Sequence, residues 1–283
     1  MSVVKLLAQN EKGLHGCVGL DPVFSKLPAS VVGTFGGNRW GAIHDFNRRI
    51  IDDTHDVTAA YKPNLAFYIR GGVSGMAVLE KTVSHIQQIN PGVLIILDGK
   101  FGDIENTNDG YAEYAFEKLN VDGVTLSPYL SLPALEPYFK REDKLCFVLG
   151  CTSNKTAGQF QDLLVGESFT DFEKGETLYK RVYSEILRME KLHIGLVAGA
   201  TYPEKLAEII NTNIPCLVPG VGAQGGDLQN VCKVLFKKKV PFLINTSRQV
   251  LFASSGDDFS QAARVAMQSL NEGIMHASMQ VMA

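Results

Sequence analysis

Short apolar, β-branched runs alternate along the chain with longer amphipathic stretches. In order they are Cys17 to Leu20, Val57 to Tyr61, Val93 to Leu97, Gly123 to Leu126, Leu145 to Leu149, Ile194 to Val197, Cys216 to Val218 and Phe242 to Ile244. Runs of this length and composition favour strands. Between them, segments such as HDFNRRIIDDTHD, GMAVLEKTVSHIQQI, NDGYAEYAFEKLN, ETLYKRVYSEILRMEK, PEKLAEII, LQNVCKVLFKKK and DFSQAARVAMQSLNEGIM place apolar residues at helical spacing with charge opposite. Such alternation builds βα units on a parallel sheet. A doubly wound open sheet shares the pattern, but eight even units in a chain of this length predict an α/β fold of the closed (β/α)8 or TIM-barrel type. No Pro/Gly/Ser-rich linker or low-complexity tract interrupts the chain, so residues 1–283 are read as one barrel domain with its active site at the C-terminal ends of the strands.

Two stretches break the alternation. VVGTFGGNRWG follows the first strand, and the segment from Thr152 to Gly175 follows the fifth. Both are read as irregular, mobile loops over a site, where lids of barrel enzymes sit.

Composition narrows the partners. With 27 basic and 30 acidic residues the formal net charge is −3, which supplies no global basic field for a nucleic-acid backbone. No segment approaches the roughly 18 uninterrupted apolar residues of a membrane span, and MSVVKLLAQNEKGLHG lacks the core and cleavage site of an export signal. A soluble cytoplasmic protein with no membrane partner is expected. The five cysteines show no C-x-x-C spacing, and Cys17, Cys146 and Cys216 lie in apolar runs, so reduced, mostly buried thiols are expected.

In a barrel, chemistry belongs just past each strand, and these positions are rich in functional side chains. The exits read LDP with Asp21, YKPN with Lys62, LDGKFGD with Asp98, Lys100 and Asp103, LSPY with Ser127, GCTSN with Thr152 and Ser153, AGATYP with Thr201, VPGVGAQGG with Gln224, and NTSR with Ser247 and Arg248. Asp98 and Lys100 stand two apart at the end of an extended run, which places both side chains on one side of the strand as neighbours. Asp103 either reaches a site or caps the following helix. Lys62 alone reads as a solvated strand-end lysine. Beside two acids and a second lysine it joins an alternating charge cluster whose members stabilise one another's ionised forms. The last two exits read as a phosphate site, with glycine N–H groups able to approach an anion closely and Arg248 adding a planar cation. None of the six histidines falls at a strand exit or at metal-ligand spacing, and there is no G-x-S-x-G elbow. Cys151 has no histidine in the neighbouring motifs to activate it.

Together these motifs resemble the orotidine 5′-monophosphate decarboxylase family. Its D-x-K-x-x-D pattern stands here as DGKFGDI, preceded by the lysine of YKPNLAFY. VGLDP, FNRRIID, TLSPYL, TSN, PGVGAQGGD and NTSR are similar to its bacterial long-loop branch, in order from about Gly19 to about Ala253. The resemblance implies decarboxylation of orotidylate to UMP, the last step of pyrimidine nucleotide synthesis, without metal or cofactor, in a homodimer with shared sites. It assigns Asp21 and Lys62 to ribose hydroxyls and Asp98 to the substrate carboxylate, and it makes Lys100 the proton donor to C6. Asp103 and Thr107 correspond to residues sent across a dimer interface into the partner's site. Ser153 corresponds to a contact on the pyrimidine edge, Pro219 and Val221 to its packing surface, and Gln224, Ser247 and Arg248 to the phosphate grip. The chain departs from the family in carrying Gly99 where alanine is commoner and Phe101 where a basic residue is common, and Val31 to Gly41 has no counterpart.

Three other readings share parts of this pattern. A Mg²⁺-dependent decarboxylase of 3-keto-gulonate 6-phosphate has the same D-x-K-x-x-D motif but requires an acid where Lys62 stands. A Schiff-base aldolase requires an unprotonated lysine, which the flanking acids oppose. A nucleotide sensor without activity has no need of two lysines and two acids.

Overall fold

The computed structural model describes residues 1–166, 175–210, 214–221 and 227–282. Eight parallel strands close into a barrel: β1 Gly16–Leu20, β2 Ala60–Pro63, β3 Leu94–Phe101, β4 Gly123–Leu126, β5 Leu145–Leu149, β6 Ile194–Val197, β7 Cys216–Pro219 and β8 Phe242–Thr246. They follow one another around the ring in chain order, and β8 closes on β1 with Gly16 opposite Ile244 and Val18 opposite Thr246. The fold expected from the alternation is the one observed.

Alternation along each strand divides the core into two layers. Val18, Tyr61, Ile95, Val124, Val148, Val218 and Ile244 pack outward with the helices. Cys17, Ala60, Leu94, Ile96, Leu145, Phe147, Val197, Leu217 and Leu243 fill the interior. The amphipathic segments form the outer ring, including Arg39–Thr54, Gly72–Ile89, Leu178–Arg188, Leu228–Lys238 and Phe259–Met282. All five cysteines are buried and unpaired. Burial pushes the thiols of Cys17, Cys216 and Cys232 up to about 12, leaving them inert at neutral pH.

The structure corrects several expectations. Val31 to Gly41 is largely helical rather than an irregular loop. Ala29–Thr34 forms a helix, Gly36 and Gly37 turn the chain at φ +54° and +88°, and Asn38 caps the helix Arg39–Thr54 by accepting from Gly41 N–H at 3.0 Å. The segment after β5 contains a short helix, Gly158–Gln161, and a two-residue ribbon pairing Leu164–Val165 with Glu176–Thr177; residues 167–174 lie outside the described part. The second strand starts at Ala60 rather than Val57 and runs to Pro63, and the third runs on to Phe101, so Lys62, Asp98 and Lys100 lie within strands rather than past them.

The helix Ser2–Glu11 closes the barrel floor at the end away from the charged exits, with fully buried Leu6 joining the interior cluster. Its Ser2 hydroxyl and Lys5 ammonium both reach Asp122 Oδ1, at 3.2 and 2.8 Å, while Asp122 Oδ2 accepts the Ile95 N–H at 3.0 Å. Among the described residues no helix is long and apolar enough to cross a membrane.

Candidate active site

Lys62, Asp98, Thr125 and Asn245 continue the inward-facing phase of β2, β3, β4 and β8, two residues beyond the apolar interior positions Ala60, Ile96 and Leu243 and the buried Gly123. There the interior changes from apolar to polar, and a cavity of about 550 Å³ opens at the C-terminal ends of the strands. Its lining gathers Asp21, Lys62, Asp98, Lys100, Ser153, Pro219, Val221, Ser247 and Arg248, all anticipated from the sequence. Leu149, Val197 and Leu217 give it an apolar portion. The volume suits a small-molecule ligand.

Asp98 is the hub. Its Oδ2 takes Lys62 Nζ at 2.6 Å and its Oδ1 takes Lys100 Nζ at 2.6 Å, with the Thr125 hydroxyl donating to Oδ1 at 2.8 Å. Lys62 is 5% exposed and Asp98 8%, whereas the Lys100 side chain is 51% exposed and reaches into the open cavity. Burial alone pushes the Asp98 carboxyl up, but the Lys62 and Lys100 ammonium groups overcome it and hold the carboxyl well below the usual range. For Lys62, burial works against the charged form. The Asp98 and Asp21 carboxylates outweigh it, and the net direction is upward. Both groups are therefore ionised at neutral pH.

These directions carry a stability prediction. Asp98, with its lowered folded pKa, contributes stability that is complete above the ordinary carboxyl value near about 4 and is lost as pH falls through the folded one. The raised Lys62 value acts oppositely, its contribution being complete below about 10.4 and lost at higher pH. Asp98→Ala strands a buried ammonium and is expected to cost about 3–5 kcal/mol at neutral pH. The gap from wild type should shrink as the pH drops below about 4, where the Asp98 carboxyl protonates in the unfolded chain while the folded protein still holds it ionised. Denaturant melts across pH check this, and a gap independent of pH would contradict it.

Asp98 and Lys100 are neighbours as expected, but not because the strand stays extended. Lys100 has φ +48°, in the left-handed region, and the β3–β4 register shifts between Leu97 and Phe101. A bulge re-aims the lysine back over its own carboxylate partner. Strain of this kind, typically about 1–3 kcal/mol, concentrates at functional sites.

Asp103 is not a helix cap. Ile104 holds the cap position of the helix Glu105–Glu113 without a side-chain bond, and Asp103 Oδ1 accepts the Ile104 N–H at 2.7 Å. Fully buried Asn108 fixes the Asp103 backbone at both ends, accepting its N–H at 3.0 Å and donating to its carbonyl at 2.6 Å. Neither Asp103 nor Thr107 lines the cavity of its own chain. Gln224 lies outside the described residues.

Around the rim, β8, β1, β2 and β3 are consecutive neighbours, so Ser247 and Arg248 are followed by Asp21, then Lys62, then Asp98 and Lys100. A Cβ on Gly19 would stand 1.9 Å from Ser247 Oγ and 3.3 Å from Asp21 Oδ2, so only glycine lets these side chains approach here. Asp21 Oδ1 is buried without a hydrogen-bond partner among the described residues, an acceptor awaiting a donor. At β5, the Gln161 amide accepts the Thr152 N–H at 2.9 Å and donates to its hydroxyl at 2.7 Å, anchoring the turn that presents Ser153.

Thr125, Asn245 and Gln161 line the cavity but escaped the sequence reading. The signal for the first two is a polar residue in the inward phase of an otherwise apolar strand. Gln161 has no local signal. No histidine lines the cavity among the described residues. His15 is buried against Phe236 and Phe242, its pKa lowered to about 4 by desolvation, and His193 bonds the Phe139 carbonyl.

Comparison with known proteins gives one result. The sequence pattern of the orotidine 5′-phosphate decarboxylase / HUMPS family matches residues 17–264. An orotidine 5′-phosphate decarboxylase from Flavobacterium johnsoniae is 41% identical over 251 residues, spanning 88% of this chain and 87% of that protein. A structure of Leishmania donovani OMP decarboxylase superposes with a TM-score of 0.78 at 32% identity, covering 99% of this chain and 100% of that one. A structure of Leishmania donovani UMP synthase superposes with a TM-score of 0.80 at 34% identity over 96% of this chain, which spans 56% of that longer protein. The barrel, the lysine–aspartate–lysine cluster at its mouth and the extent of these matches agree, and the chain belongs to the orotidine 5′-phosphate decarboxylase / HUMPS family.

Proposed function

We propose that the cavity is where this chain decarboxylates orotidine 5′-monophosphate to UMP, and that Lys62, Asp98, Lys100 and a partner subunit's copy of Asp103 carry the reaction. The observation behind this reading is the Lys62–Asp98–Lys100 cluster, two ammonium groups on one buried carboxylate at 2.6 Å each, with Lys100 extending into the cavity.

Loss of CO₂ breaks the C6–carboxylate bond and leaves its electron pair on C6, in the plane of the ring, with no adjacent π-system to absorb it. The barrier to be lowered lies toward the upper end of the roughly 8–23 kcal/mol that enzymes supply. Charge placement is the means available to these residues. The Lys100 ammonium stabilises negative charge as it develops at C6, more in the transition state than in the ground state. An N–H bond of Lys100 then breaks as the C6–H bond forms, leaving UMP, CO₂ and a neutral amine. Asp98 holds that ammonium in place beforehand, and its charge beside the departing carboxylate is a secondary effect.

The remaining assignments follow the lining. Asp21, its buried acceptor without a partner among the described residues, and Lys62 suit ribose hydroxyls; Ser153 suits the pyrimidine edge, and Pro219 and Val221 give it a packing surface. Ser247 and Arg248 suit the phosphate, with Gln224 as their third member. Gly220, at φ +97°, turns the backbone at this corner. Asp103 and Thr107 stand off their own chain's cavity, while Ile104, Tyr129 and Leu130 nearby in sequence on the β3 and β4 exits are exposed apolar side chains. A homodimer in which this face covers the partner's cavity accounts for both. One barrel domain in the cytoplasm, acting without metal or cofactor, completes the reading.

An ultraviolet assay on orotidylate with EDTA present tests substrate and metal independence together. Loss of orotidylate absorbance at an undiminished rate is expected. EDTA-sensitive turnover, or none, would overturn the reading.

A further inference from the structure

Strand β4 reads Gly-Val-Thr-Leu, and Val124 and Leu126 pack into the outer layer, so Thr125 faces the barrel interior. Neighbouring interior positions on β5, Leu145 and Phe147, are apolar, and valine would fit a strand here as well as threonine does. Yet Thr125 is 2% exposed and uses its hydroxyl in both senses, donating to Asp98 Oδ1 at 2.8 Å and accepting the Lys100 N–H at 3.0 Å.

Both bonds serve the same residue. The regular β3–β4 ladder is interrupted between Leu97 and Phe101, and Lys100 sits in that gap at φ +48°. The Thr125 hydroxyl takes the N–H that the bulge displaces, which fixes the base of the lysine. It also fixes Asp98 Oδ1, the oxygen that receives the Lys100 ammonium at 2.6 Å, and so fixes the tip. Lys62 occupies the other oxygen and leaves Oδ1 to these two donors. A half-exposed lysine on a flexible four-carbon stem is thereby held at both ends by one buried hydroxyl.

The geometry points to Thr125 as a positioning residue for proton delivery: it sets where the Lys100 ammonium stands without itself bonding the reacting atoms. This rests on the role given to Lys100 above. Small misplacement of a catalytic group costs about 100-fold in rate, and the cost falls on kcat rather than on binding when the misplaced group acts in the transition state.

The test compares Thr125→Val, Thr125→Ser and Lys100→Ala for kcat, KM, UMP affinity and thermal midpoint. Thr125→Val is expected to lower kcat by about 100-fold with KM and UMP affinity within about twofold of wild type. Thr125→Ser, which keeps the hydroxyl, should recover kcat to within about threefold. If Thr125→Val does not fold, Thr125→Ala, which adds no atoms, is read the same way. An undiminished kcat in the hydroxyl-free variant alongside an inactive Lys100→Ala would refute the positioning role and leave the role of Lys100 intact. A raised KM with unchanged kcat would make Thr125 a substrate contact and overturn the proposal. Failure of serine to rescue would show that the methyl group, not the hydroxyl, matters. An active Lys100→Ala would remove the reading on which the proposal stands.

Discussion

Lys100→Ala reduces turnover of orotidylate by at least about 10⁴-fold and leaves both the fold and UMP binding in place. The magnitude combines two losses: proton delivery by a positioned side chain, typically about 10²–10⁴-fold, and electrostatic stabilisation of charge at C6, about 10²–10³-fold. The fold survives because the variant leaves no buried charge unpaired. Asp98 keeps Lys62 on Oδ2 and Thr125 on Oδ1, and the lysine removed is half exposed. Removing a charge at the proposed phosphate corner has a different signature. Arg248→Ala is expected mainly to raise KM, since an exposed guanidinium proposed to grip a remote phosphate contributes to binding before it contributes to chemistry. Single-turnover absorbance decay separates the two effects, and wild-type turnover by Lys100→Ala would retire the mechanism.

Asp103→Ala is expected to be nearly as inactive, by about 10³-fold, though Asp103 lies off the cavity of its own chain. The informative experiment is mixing. If each site takes Lys100 from one subunit and Asp103 from the other, a heterodimer of the two inactive variants carries one site with both residues intact. Random reassortment of equal amounts then makes half the dimers hybrid with one working site of two, restoring about a quarter of wild-type activity. Should the mixture stay inactive after exchange shown by mass, Asp103 serves its own chain and the shared-site dimer fails.

Much of this was legible in the sequence for physical reasons that can be named. Eight short β-branched runs separated by amphipathic stretches leave few ways to bury both faces of a sheet, and the ring closed as expected. The charged cluster was visible because lysines and aspartates at the ends of apolar strands must pair or be solvated. Backbone irregularity was not legible. Nothing in DGKFGD announces that Lys100 turns left-handed, because a lysine within a strand adopts that conformation only rarely and no local signal marks it. VVGTFGGNRWG broke the alternation and read as a loop, but its Gly36 and Gly37 mark a turn between two helices. Thr125 escaped notice because threonine is an ordinary strand residue whose hydroxyl matters only once its neighbours are known. The helix Ser2–Glu11 has no side-chain cap and a modest apolar stripe, so its place depends on Asp122, more than a hundred residues away.

That distance bears on how the chain reaches its active form. The barrel closes where β1 meets β8, pairing Gly16 with Ile244, and at the same junction Ser247 settles against Gly19 beside Asp21. Contacts spanning so much of the chain are slow to form, because the intervening loop must be closed before they give anything back. During synthesis β1 waits with one edge unsatisfied until β8 emerges. The corner proposed to grip the phosphate is therefore assembled by the last pairing in the ring, and nucleotide affinity reports completed closure. A nucleotide that binds there would favour the closed ring over any chain whose final strand has yet to dock.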